Sequence, residues 1–90
     1  MMYPYMTLSD NTEIVHSHII EENHEIKKVI VHFERPTECG FDSARCELPH
    51  YKWIEQSGYS LDEIEVFEQL LKNNAHLIYK YAAIGGIHIA

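Results

Sequence analysis

Basic residues are scarce in this 90-residue sequence: 7 Lys and Arg stand against 14 Asp and Glu, a formal net charge of −7. Nucleic-acid phosphates are held by Lys and Arg gathered on one face. The only adjacent basic pair here, Lys27 and Lys28, sits beside Glu21, Glu22 and Glu25, so no direct nucleic-acid binding is expected. Long apolar runs are also missing. The longest is Tyr81 to Ile84, against the ~20 residues a membrane span requires, and no membrane association is expected. Residues 1–6 carry neither the basic region nor the apolar stretch of a signal peptide, which reads as a cytoplasmic chain. There Cys39 and Cys46 remain thiols.

Catalytic signatures are absent in the same way. The sequence holds no Gly-x-Ser-x-Gly elbow, phosphate loop, His-Glu-x-x-His helix or dinucleotide fingerprint. Cys39, Cys46 and His50 lack the tight two-cysteine knuckle that structural zinc sites use. Neither an enzyme nor a bound cofactor is expected.

What is present is apolar residue in quantity, 46% of the chain. That suffices for one modest core in a single domain covering residues 1–90. Residues 3–8, 13–20 and 26–33 read as strands, with Ser9-Asp10-Asn11-Thr12 supplying turn chemistry between the first two. Val29, Val31 and Phe33 alternate at period two. Residues 35–40 read as a loop, because Pro36 pushes Arg35 out of helical geometry. Residues 41–48 form a fourth strand whose parity turns Ala44, Cys46 and Leu48 inward. Residues 49–55 suit a short helical turn, and 56–59 a connector.

The period then changes. Ser60-Leu61-Asp62-Glu63 is a capping box, and Leu61, Ile64, Phe67, Leu71 and Ile78 recur on one helical arc, with Leu70 and Tyr81 at its edge. A helix over about 61–82 follows, with Glu68 and Lys72 paired on its wet face and Gly85-Gly86 stopping it. Residues 87–90 suit a short edge strand. The expected fold is α+β: a four-stranded antiparallel β-meander, in sequential order, packed against one long C-terminal α-helix.

Three groups of residues carry functional expectations. Histidine is abundant, 7 of 90. If Ile20 pairs with Ile26, then His16, His18 and His32 share one sheet face and could ligate Zn²⁺ or Cu²⁺; a slip of one residue separates them. Tyr51, Trp53 and Tyr59 concentrate aromatic area in a connector, as interface anchors do. Asn74 falls within the helix's apolar stripe, where it either bonds a strand end or faces a partner.

The leading expectation is a small acidic protein-protein interaction module, an accessory, inhibitor or regulatory subunit, with an unidentified protein partner and self-association as a homodimer through edge strands at 3–8 and 87–90. A His-rich transition-metal binder and an acidic nucleic-acid mimic that blocks a DNA-binding partner are the alternatives. Seven imidazoles match the seven missing charges. Full His protonation would therefore carry the chain from −7 to about zero, mostly between roughly pH 7.5 and 5.5.

Overall fold

The computed structural model describes residues 2–22 and 26–86. Its elements are β1 (Met2–Thr7), β2 (Glu13–Ser17), β3 (Ile20–Glu22), β4 (Ile26–Thr37), β5 (Gly40–Leu48), β6 (Lys52–Ser57) and α1 (Leu61–Ile84). The sheet is antiparallel in the order β1-β2-β4-β5-β6, and β3 pairs the start of β4. The α+β class agrees with the sequence reading, while the strand count is six among the described residues rather than four. The edge strand expected at 87–90 lies outside them.

Packing follows the predicted parity. Ile14 of β2, Val29, Val31 and Phe33 of β4, and Ala44, Cys46 and Leu48 of β5 are buried beneath Ile64, Phe67, Leu71, Ile78 and Ala82 of α1. Phe33 is the hub of this layer. It stacks on Phe67 with ring centroids 4.3 Å apart and touches Trp53 at 5.8 Å. Burial of an aromatic of this size contributes about 1.5–3 kcal/mol.

The helix begins where the capping box places it. Ser60 Oγ accepts from Glu63 N at 3.1 Å, and Glu63 Oε1 accepts from Ser60 N at 3.0 Å. Gly85 closes the helix at φ 80°, and its N–H donates to the Tyr81 carbonyl. Leu61 departs from the expected stripe: it is 81% exposed, because at 3.6 residues per turn it is rotated about 60° from Ile64 and about 120° from Phe67.

Three local readings are corrected. The strand expected over 13–20 breaks into β2 and β3. β2 pairs Ile14 with Phe33, whereas β3 pairs Ile20 with Lys28, one residue out of phase. Ser17 Oγ fills the break by accepting from Ile30 N at 3.0 Å. The supposed loop at 35–40 is mostly strand, since β4 runs through Pro36 to Thr37, which pairs with Gly40 across a two-residue turn. The stretch read as helical turn and connector is β6, whose pairing with β5 carries a bulge between Arg45 and Cys46. Among the described residues no helix is long and apolar enough to cross a membrane.

Candidate functional site

The β4–β5 hairpin outruns both of its neighbours. β2 leaves β4 at the Glu13–Glu34 pair, and β6 leaves β5 at Ser43–Ser57. Beyond them Arg35–Asp42, Pro36–Phe41 and Thr37–Gly40 pair, among the described residues, only with one another. Three rungs at ~3.4 Å project the tip by about 10 Å. Every residue from 36 to 41 is exposed, and Phe41 is 66% exposed. By strand parity Phe41 and Pro36 lie on the sheet face turned away from α1.

The base of this hairpin is held by Arg35. Its Nε and Nη2 donate to Asp42 Oδ2 at 2.9 and 2.7 Å, and its Nη1 donates to Glu63 Oε2 at 2.7 Å and to Asp10 Oδ2 at 3.0 Å. The guanidinium also sits over the Tyr59 ring, 4.7 Å from its centroid. One side chain thus ties the hairpin to the β1–β2 turn, the helix start and the segment before the helix. Charge-assisted bonds of this kind are stronger than neutral ones, and the three carboxylates push the Arg35 pKa up. Backbone amides and the guanidinium act together on the acids. The Ser60 N–H first and Arg35 second hold the Glu63 carboxyl below its usual range, and for Asp10 the leading donor is the Thr12 N–H.

The aromatic residues singled out by sequence serve the interior and do not form one surface. Trp53 lies on β6, and its Nε1 donates to Glu68 Oε1 at 3.1 Å. Tyr59 packs edge-on against Phe67 at 4.9 Å and bonds Thr12 Oγ1 through its hydroxyl at 3.1 Å. Tyr51 is half-buried at φ 54°, with Lys72 Nζ over its ring at 5.6 Å. Asn74 lies toward the opposite edge of the sheet. Its Oδ1 accepts from Tyr5 Oη at 2.8 Å, and its Nδ2 donates to the Leu70 carbonyl at 2.8 Å. A strand partner therefore satisfies the amide in the helix stripe.

The three histidines are not brought together either. With Val15 opposite His32 and His16 opposite Val31, His16 points into the core and His32 to the outer face. His18 is exposed in the break between β2 and β3. The one-residue difference in register separates the set. His16 is fully buried; its Nδ1 donates to the Ser17 carbonyl at 2.8 Å, and its Nε2 has no hydrogen-bond partner among the described residues. Among the described residues no group of three or more His, Cys, Asp or Glu is placed to hold a metal ion. Burial pushes the Cys46 thiol up to about 12, whereas Cys39 is exposed at the hairpin tip.

Phe41 and the Arg35 anchor were missed by sequence reasoning. The available signal was an Arg and an Asp seven residues apart, flanking a possible two-residue turn at Glu38-Cys39. Comparison of the chain with protein-family models, curated proteins and solved structures found no match.

Proposed function

We propose that this chain is a non-enzymatic, cytoplasmic protein-binding module, an accessory, inhibitory or regulatory subunit, that offers the β4–β5 hairpin tip to a groove on its partner. The observation that carries this reading is Phe41, two-thirds exposed on a projecting hairpin whose base is fixed by Arg35. An exposed aromatic brings a large apolar payload to an interface. A tip already held in its bound shape loses little further freedom on docking. Pro36, paired directly opposite Phe41, restricts the same rung further.

The test compares the immobilised wild-type chain with Phe41→Ala, both shown folded by circular dichroism, for proteins retained from a lysate of the native cell. A protein held at stoichiometric amounts by the wild type and lost with Phe41→Ala is the expected result. Retention unchanged by the substitution, or no specifically retained protein, overturns the proposal.

A further inference from the structure

Helix α1 carries a second apolar line beside the one it buries. Val66, Leu70, Asn73, Leu77, Tyr81 and Ile84 follow one another at intervals of four, three, four, four and three residues, the spacing of a helix–helix seam. Val66 and Ile84 are 62% and 50% exposed, Asn73 is exposed, and the others are half-buried. Tyr5 of β1 reaches this side of the helix through its bond to Asn74 and its ring contact with Tyr81. The line therefore runs along β1, the last strand of the sheet on that side among the described residues.

The line is also self-complementary. About a centre between Asn73 and Asn74, Leu70 answers Leu77 and Val66 answers Tyr81, so two antiparallel copies of α1 would match apolar residue to apolar residue. Charge obeys the same symmetry. The start of the helix bears Asp62, Glu63 and Glu65, and its second half bears Lys80 with no acid. Beside that start lies an open groove of about 320 Å³ lined by Leu8, Ser9, Asp10, Glu63, Val66 and Phe67. There Asp10, Glu63 and Asp42 share the single guanidinium of Arg35, leaving an excess of negative charge. The antiparallel arrangement brings Ile84 and Lys80 of the second copy to this groove, an apolar group for its floor and a cation for its rim.

We propose that the β1-side flank of α1 is an interface between two copies of this chain, related by a two-fold axis near Asn73 with their helices antiparallel. The helices make this contact rather than the strands. β1 itself is blunted as an edge by Pro4 and by the irregularity between Pro4 and Met6. From Val66 to Ile84 the seam is about 27 Å long at 1.5 Å per residue. With a width of ~10 Å it supplies about 270 Å² a side, a third of the ~800 Å² of a standard interface. Even with the groove added, the dimer belongs to the weak, concentration-dependent class.

Sedimentation equilibrium up to ~1 mM chain reads the dimer directly. Val66→Glu, at a position exposed in the folded monomer, is expected to weaken dimerisation about tenfold or more by burying an unpaired charge. Lys80→Glu is expected to weaken it as well, and the added substitution Asp62→Lys to restore it. In a Cys39→Ala background, Asn73→Cys is expected to be joined copy to copy by a short bis-maleimide, since Cys46 is buried. Thermal melts confirm that each variant folds. A monomer at every concentration overturns the proposal, as does a dimer that is insensitive to Val66→Glu, is not restored by the charge swap, or fails to cross-link through position 73.

Discussion

Arg35 gathers carboxylates from the β1–β2 turn, β5 and α1, and two of these acids are held by backbone amides as well. Glu63 also accepts from the Ser60 amide, and Asp10 from the Thr12 amide; in both, the backbone bond is the larger cause of the lowered pKa. Because the folded values lie below the ordinary 4.5 and 3.8, ionised Glu63 and Asp10 stabilise the fold. That contribution is complete above the unfolded values and is lost as pH falls through the folded ones. In Arg35→Gln both carboxyls are expected to titrate at higher pH than in the wild type, yet still below their ordinary values, because the amide donors remain. Carboxyl-carbon NMR titration reads both effects. Unchanged midpoints in the variant would show that the guanidinium is not what these acids sense.

Boundaries marked by side-chain chemistry were legible in the sequence, and those set by chain geometry were not. Ser60 and Glu63 announce the helix start because the capping box is local, and Gly85 announces its end because the closing residue needs φ 80°. The inward parity of β4 and β5 was equally plain, since it needs only alternation. β6 escaped because its bulged pairing with β5 spoils the period-two pattern around Trp53, Ile54 and Glu55, and Pro49 resembles a helix start. Pro36 suggested a loop because proline is disfavoured within sheets. At that rung, however, β4 has a partner on one side alone among the described residues, so its missing N–H interrupts no second ladder there. The candidate site was hidden for the same reason: Phe41 projects only because the neighbouring strands stop short. At the helix entry, Gly58 has φ 88°, and a Cβ there would collide with the Asp42 carboxylate that Arg35 holds. Gly58→Ala is therefore expected to destabilise by about 2–3 kcal/mol, more than the ~1 kcal/mol expected for Ser60→Ala at the cap. Urea unfolding of the two variants decides the order, and the reverse ranking would remove Asp42 from the account of this junction.

For the molecule as a whole, composition treats seven histidines as one titrating pool, and the fold divides them. His18, His50 and His76 are exposed. His32 is half-buried on the outer face opposite Arg45. Burial and the Arg45 charge push its pKa below the ordinary 6.5, more than Glu34 and Glu55 raise it. The folded state thus takes up this proton later than the unfolded chain does. Its neutral form supports the fold fully above pH 6.5, and that support is lost as pH falls through the lower folded value. The charge swing toward zero is accordingly spread to lower pH than composition implies, toward the sequence pI of about 5.4, where solubility is expected to be poorest. His32→Gln removes one titrating group and keeps a polar side chain on the outer face. Urea midpoints measured at pH 7.5, 6.0 and 5.0 should fall less steeply with acid in this variant than in the wild type, while the loss below about pH 4.5 from Glu63 and Asp10 remains in both. An imidazole NMR midpoint for His32 at or above 6.5, or parallel urea profiles for the two proteins, would show that its burial against Arg45 does not govern its proton.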